Sequence, residues 1–314
     1  LKDSGFLSKF FNFFKTVLIL SRYVKKHDIN VIVCFLERSN VTGYLVGMIS
    51  GKNAIISVRN NLRKQYSNIS LAKRFLLRKM LSIIYSRCKY VVSLSKGVEY
   101  QLKTDYGLKS NLVHIYNFYD TESMRNSVSS LKPLDISFYS EKYFVAVGRL
   151  TEQKGFDTLL KIFAQYKSKG GQNNLFIVGE GELAEYLQEL VLFYRVTSYV
   201  TFLGFREDTA SIIRYAEALV FTSRWEGFGN AAIESIIYGT PLISFDCPYG
   251  PREILGLDYS YKISKPIHTK YGVLLPENVT EFSKHTSLSE PESEMLQVMI
   301  NHSKDSYCYS ELIN

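Results

Sequence analysis

From residue 28 onward one pattern recurs: a short β-branched or aliphatic run, a polar loop, then a stretch with helical spacing. INVIVCFL (29–36) predicts a buried strand, followed by a helix around 40–50. NAIISV (53–58) predicts a second strand, ending in the polar turn RNNLRK. A long basic helix is expected over 69–86, then strand KYVVSL (89–94), a helix over 95–105 and strand LVHIY (112–116). Short apolar strands alternating with helices specify a parallel, doubly wound sheet.

Residues 120–141 lose the apolar period and collect Ser, Asp and Pro, which sets a linker at 121–142. A cleaner series follows. YFVAVGRL (143–150) is a strand, TEQKGFDTLLKIFAQYKSKG a loop and helix, and NNLFIVGEG a strand. ELAEYLQELVLFYRV is a helix, YVTFLGF a strand and REDTASIIRYAEA a helix. ALVFTS, the helix after WEGFGN, PLISFDCP and YGVLLPE (271–277) complete it. The expected fold is α/β: two Rossmann-like domains facing a cleft, an incomplete one over 1–120 and a second over 143–277. A tail over 278–314 has weak helical signal and no motif. Ligands in such sheets bind outside the carboxyl ends of the strands, and every polar loop considered below stands at such an end.

Of 314 residues, 46% are hydrophobic and 22% charged, the composition of a globular chain. The net charge of +8 favours an anionic partner: nucleic acid, an anionic bilayer or a phosphorylated small molecule. Cys34, Cys88, Cys247 and Cys308 lack metal-ligand or redox spacing, so a reducing compartment, the cytoplasm, is the simpler reading. The sequons at Asn40, Asn68 and Asn278 are then chance matches. FLSKFFNFFKTVLIL (6–20) is too short, and too broken by Lys9, Asn12 and Lys15, to span a bilayer. Residues 6–26 and 71–89 mix Lys and Arg with Phe and Leu. They suit helices lying on an anionic leaflet, at the inner face of the cytoplasmic membrane, or equally core helices with solvated basic residues.

In VGRLTEQKG (147–155), Gly148 ends a strand, Arg149 projects from its carboxyl end, and Lys154 precedes Gly155 and a new helix. Two cations beside a helix N-terminus suit a dense anion such as a diphosphate, the alternative being solvated loop charges. In WEGFGNAAIES, Gly227 and Gly229 let the backbone approach a ligand, and the amides of Phe228, Gly229 and Asn230 begin a helix. Glu226 and Glu234 flank that turn. Each alone is read more simply as a helix-dipole acid or a solvated face; together, around Gly-Phe-Gly, they suit the hydroxyls of a sugar and a ribose.

GRLTEQKGFDTLL, FIVGEGEL, VTFLGF and TSRWEGFGNAAIESIIYGTPLISFDCPYGPREIL resemble, in order and spacing, glycosyltransferase family 4 across about 143–277. VVSLSKGVEYQLKTDYGLKSNLVHIYNFYD (91–120) matches more loosely. The resemblance implies a retaining, nucleotide-sugar-dependent transferase of the GT-B fold. In it Arg149 and Lys154 would neutralise the donor diphosphate, and Glu226 with the amides of Phe228 to Asn230 would hold the transferred sugar and the diphosphate. Glu234 would bind the ribose, and Gly179–Gly181 and Gly204–Arg206 would border the base. No cofactor and no metal are implied, since Arg, Lys and the helix end replace the metal; the donor is a UDP- or GDP-sugar. Where many members carry a His, IISVRNN offers Arg59 and Asn60, and CPYGPREI sets Arg252 and Glu253 near the cleft rim. Both traits resemble a subgroup that builds bacterial polysaccharides such as O-antigen, commonly on lipid-diphosphate-linked acceptors. The family's opening strand and glycine-rich loop do not precede Leu1, so roughly 30 residues or more are expected to be missing.

Nucleic-acid binding competes for the positive charge, but no helix-turn-helix, zinc or RNP-type signature is present. A truncated, non-catalytic nucleotide-sugar binder is the other rival, and a nucleotide-sugar epimerase a third. Ala at Glu226 or Lys154 is expected to leave the fold intact, because both positions read as exposed loops.

Overall fold

The computed structural model describes residues 6–67, 69–130, 141–259, 261–279 and 286–307. Its chain forms two compact units, Leu1–Asn117 and Phe118–Asn314.

The first unit runs α1 (Phe6–Lys26), β1 (Val31–Phe35), α2 (Glu37–Ser50), β2 (Asn53–Val58), α3 (Leu62–Gln65), α4 (Leu71–Arg87), β3 (Tyr90–Ser93), α5 (Lys96–Tyr106) and β4 (Leu112–His114). The four strands pair in parallel in the order β1-β2-β3-β4, as βαβ crossovers require. Ile56, Val58, Leu81, Tyr85, Val91, Val98 and Leu102 form its buried interior. Ser95 caps α5 by accepting from the Val98 amide at 3.1 Å. Gly107 closes that helix in the left-handed region, φ 70°. The expectation of a buried first strand is corrected: among the described residues β1 pairs only with β2, and Val31, Val33 and Phe35 are exposed while Cys34 is buried. An edge strand buries one face, and a continuous apolar run conceals which one.

The second unit runs α6 (Thr121–Ser130), β5 (Tyr143–Val147), α7 (Phe156–Ser168), β6 (Asn174–Val178), α8 (Ala184–Phe193), β7 (Val200–Gly204), α9 (Thr209–Tyr215), β8 (Ala218–Phe221), α10 (Asn230–Ile237), β9 (Leu242–Phe245), α11 (Pro251–Ile254), β10 (Ile267–Thr269), β11 (Gly272–Leu275) and α12 (Glu290–Ile300). The sheet order is β10-β11-β9-β8-β5-β6-β7, parallel except for β10 on β11. From β5 the chain builds outward through β6 and β7, then returns to the other side of β5 with β8. The strand order therefore reverses between β5 and β8, which is where doubly wound sheets open a crevice for ligands. β5, β8, β9 and β11 are buried nearly throughout, with Phe144, Leu159, Leu160, Phe163, Ile177 and Phe245 among the packed side chains.

Two sequence expectations change here. Where a linker was expected, Thr121–Ser130 is a helix whose Arg125 donates to the Ile237 carbonyl at 3.2 Å; residues 131–140 lie outside the described residues. The tail supplies α12, started by a capping box of Ser289 and Glu292 and fastened to α7 by Lys161 Nζ–Glu292 Oε2 at 2.7 Å. Residues 280–285 and 308–314, including Cys308, lie outside the described residues.

Candidate active site

The loops after β5, β6 and β7 are stitched edge to edge. Gly148 N–H donates to Val178 O at 2.9 Å, Leu150 N–H to Glu180 O at 2.9 Å, and Gly179 N–H to Gly204 O at 2.7 Å. At Gly179, φ 136°, a Cβ would stand 2.0 Å from the Gly148 carbonyl oxygen, so only glycine lets the two loops meet. A Cβ at Gly181 would stand 2.4 Å from the Leu150 carbonyl oxygen. Glu180 Oε1 reaches the Phe205 amide at 3.4 Å, which brings the segments of Gly179–Gly181 and Gly204–Arg206 side by side. Arg206 forms a two-pronged pair with Asp208, at 2.8 and 2.9 Å, and its hydrogen bonds hold that carboxyl below the usual carboxylate range. Arg149 is exposed, and its side chain makes no hydrogen bond or ion pair among the described residues.

Across the switch point, the loop after β8 is tied to the 3-10 turn Glu152–Lys154 that precedes α7. Lys154 Nζ lies 2.6 Å from Glu226 Oε1, and the Ser223 hydroxyl donates to the same oxygen at 2.8 Å. Arg224 grips Asp157 with both guanidinium nitrogens, at 2.9 and 2.6 Å, and donates to Glu152 O at 2.8 Å. The Arg224 amide donates to Gln153 O at 2.7 Å, and Gln153 Nε2 returns a bond to Trp225 O at 2.8 Å. Glu226 N–H donates to Pro248 O at 2.7 Å, and Tyr249 N–H to Glu226 O at 3.1 Å. The two positions read as exposed loop sites are therefore enclosed: Glu226 is 6% exposed and the Lys154 side chain 18%. The sequence showed the charges without the backbone bonds that draw them inward.

Helix α10 starts at Asn230, after Gly229 at φ 101°, with no side-chain cap. Its first-turn amides thus end the β8 loop as a positive helix terminus. Phe228 is buried, and the Asn230 side chain accepts from the Tyr119 hydroxyl at 3.0 Å. Glu234, half-buried in the second turn, makes no side-chain hydrogen bond or ion pair among the described residues, and burial raises its carboxyl above the ordinary range.

Arg252 is not a rim residue. It is buried, gripping Asp246 at 2.8 and 2.6 Å and donating to the carbonyls of Asp258 and Tyr261 at 2.9 and 2.6 Å. Those bonds commit the guanidinium to the loop after β9, and Glu253 accepts from Tyr259 at 2.9 Å. In the first unit, Arg59 follows β2 and donates to Asn117 Oδ1 at 2.6 Å over the Phe35 ring, while Asn60 accepts from the Asn61 amide. Sequence reasoning missed Ser223, Arg224, Asp157 and Gln153. Among the described residues no group of three or more His, Cys, Asp or Glu is placed to hold a metal ion.

Residues 137–302, more than half of the chain, match the family model for glycosyl transferases group 1. The chain belongs to that family. Residues 5–123 match a second model, glycosyltransferase family 4. An uncharacterized glycosyltransferase of Methanocaldococcus jannaschii is 31% identical over 263 residues, 80% of this chain and 64% of the relative. The Campylobacter jejuni N-acetylgalactosamine-N,N'-diacetylbacillosaminyl-diphospho-undecaprenol 4-alpha-N-acetylgalactosaminyltransferase is 26% identical over 235 residues, 71% of this chain and 60% of the relative. The chain thus spans under two thirds of the length of these relatives. Among solved structures, Anabaena HepE in complex with UDP and glucose superposes with a TM-score of 0.68 at 16% identity, over 90% of this chain and 70% of that one. The fold is accordingly of the GT-B kind, with a Rossmann-like sheet in each unit.

Proposed function

We propose that this chain moves a hexose or N-acetylhexosamine from a nucleoside-diphosphate sugar, UDP-linked rather than GDP-linked, to a lipid-diphosphate-linked glycan, with retention at the anomeric carbon. The observation that carries the reading is the Lys154–Glu226 pair at the β5–β8 switch point, beside the start of α10. Support for the donor comes from the Anabaena protein solved with UDP and glucose, and for the acceptor from the Campylobacter enzyme that acts on a diphospho-undecaprenol glycan.

Breaking the sugar C1–O bond leaves positive charge on the anomeric carbon and negative charge on the departing diphosphate. Lys154 and the first amides of α10 are fixed donors for that negative charge, and donors set before the reaction need no reorganisation during it; Arg149, exposed at the end of β5, adds a further positive charge. Glu226, with Ser223, orients the Lys154 amine and accepts from the sugar hydroxyls. Glu234 accepts from the ribose hydroxyls, which favour its ionised form over the neutral form that burial favours. The acceptor hydroxyl attacks the same face, and its proton passes to the departing phosphate oxygen, so no protein nucleophile is required.

Calorimetric titration with UDP and GDP, without added metal, tests the donor site, and turnover on a polyprenyl-diphosphate glycan tests the reaction. Saturable UDP binding is expected, weakened tenfold or more by Lys154→Ala, and Glu226→Gln is expected to lower turnover about 100-fold or more, as for loss of a preorganised group. Gln retains the shape of the enclosed Glu226, so folding and chemistry stay separable. Undiminished turnover in both variants overturns the assignment.

A further inference from the structure

The loop that carries Glu226 and Phe228 leans on the backbone of the loop after β9. Glu226 N–H donates to Pro248 O at 2.7 Å, and Tyr249 N–H returns a bond to Glu226 O at 3.1 Å. One residue on, Gly250 has φ 109°, and a Cβ there would stand 1.7 Å from the Phe228 carbonyl oxygen. The two loops therefore meet backbone to backbone, closer than any side chain permits. A displacement of Pro248–Gly250 passes directly to Glu226.

Gly250 is buried, and its amide donates to the Tyr259 hydroxyl at 3.3 Å. That hydroxyl donates in turn to Glu253 Oε1 at 2.9 Å. A phenol accepts one bond and donates another at once, so a single oxygen serves both groups. Without it the Gly250 N–H becomes a buried donor lacking an acceptor, which folded chains relieve by moving. The Tyr259 ring is itself fixed. The Arg252 guanidinium lies 5.4 Å from its centroid and 5.7 Å from that of Tyr261. Asp246, which follows the last residue of β9, grips that guanidinium at 2.8 and 2.6 Å. The contacts thus close a ring from β9 through Asp246, Arg252, Tyr259 and Gly250 to Glu226, which gives the buried Arg252 a task away from the rim.

We propose that Tyr259 is a positioning residue for the transferred sugar, acting through Gly250 to set where the Glu226 carboxylate stands; the inference rests on the reading of Glu226 as the acceptor of the sugar hydroxyls. UDP without a sugar is held by the diphosphate and ribose groups. A misplaced Glu226 is therefore felt by a UDP-sugar more than by UDP.

Trp225, the chain's single tryptophan, adjoins Glu226 and reports on this loop with no ligand present. UDP, UDP-hexoses and UDP-N-acetylhexosamines are titrated into the full chain and its Tyr259→Phe variant, with Trp225 fluorescence and denaturant unfolding measured on both. Tyr259 is 39% exposed, so loss of its hydroxyl leaves the core packing untouched. The variant is expected to bind the parent's preferred UDP-sugar about tenfold more weakly while keeping its UDP affinity, the size of one lost hydrogen bond. Its Trp225 emission shifts and its unfolding midpoint stays near the parent's. Tyr261→Phe serves as the control: its ring lies over the same guanidinium, and its hydroxyl makes no hydrogen bond among the described residues. An unchanged ratio of UDP-sugar to UDP affinity overturns the proposal, as does a lowered midpoint with both affinities falling in parallel. A parent chain that binds neither ligand sinks the donor reading instead. Unchanged Trp225 emission in Tyr259→Phe then overturns the positioning of Glu226 by itself, and a shift at an unchanged midpoint upholds it.

Discussion

Lys154 and Glu226 derive their placement from residues that touch neither. Arg224 sits between Ser223 and Trp225, and its two-pronged grip on Asp157 fixes the β8 loop to the first turn of α7. The pair is enclosed, with side-chain exposures of 12% and 4%, so removing one partner strands a buried charge. Such losses amount to about 3–5 kcal/mol, most of it desolvation of the survivor. Arg224→Met and Asp157→Asn are each expected to destabilise the second unit on that scale, while the double variant costs less than their sum. If the pair only held the fold together, donor affinity would follow the folded fraction. As a positioning pair it also lowers turnover among folded molecules, with UDP affinity changing less than kcat. Denaturant unfolding and saturation kinetics on the same four proteins separate the two, and additive single costs overturn the coupling.

At the scale of elements, β5, β6, β8, β9 and β11 were legible because they are buried on both faces and therefore read as unbroken apolar runs, while the short antiparallel β10 was not read. The glycine-marked loops were legible for the same reason: their spacing follows the strands. Arg224 and Asp157 were not, since residues 67 positions apart share no period, and a loop charge reads as solvated until its partner is placed. Arg252 misled in the opposite way, a charge near the expected rim that folds inward onto Asp246. Helix α12 gave only a weak helical signal because its polar tail hides four buried side chains, Glu292, Met295, Leu296 and Met299. Glu292 has a consequence for pH. Burial alone would raise its carboxyl, but Lys161 at 2.7 Å, the Ser289 amide and Asn278 outweigh burial and hold it below the ordinary range. A depressed folded pKa contributes stability that is complete above the unfolded carboxylate value and is lost as pH falls through the folded one. The second unit is therefore expected to weaken on acidification below about pH 4. Glu292→Gln should unfold at lower denaturant at neutral pH, with a smaller acid-induced loss. An acid slope identical to that of the parent chain sinks this account of α12.

Across the whole molecule, charge and apolar surface are distributed unequally. The chain carries a net charge of +8, and α1 exposes Phe10, Phe11, Phe14 and Leu18 between Lys9, Lys15, Arg22, Lys25 and Lys26. No described helix is long and apolar enough to cross a membrane. Amphipathic basic helices as a class bind in the plane of an anionic surface, each Lys or Arg contributing about 1 kcal/mol near the headgroups, and vesicle binding tests whether α1 does so. A transferase acting on a lipid-linked acceptor gains from that placement, because its substrate is confined to the same surface. The full chain is expected to cosediment with phosphatidylserine vesicles at low salt and to leave them as ionic strength rises towards about 1 M, where the Debye length falls to about 3 Å. Replacing Lys15, Lys25 and Lys26 with Gln should weaken binding by about 1 kcal/mol each, and Phe10→Ser with Phe14→Ser should weaken it at any salt. Equal binding to neutral vesicles would remove the charge from the explanation. Retention by anionic vesicles in the Phe10 and Phe14 variants would remove the apolar face of α1 from the explanation and leave its charge alone.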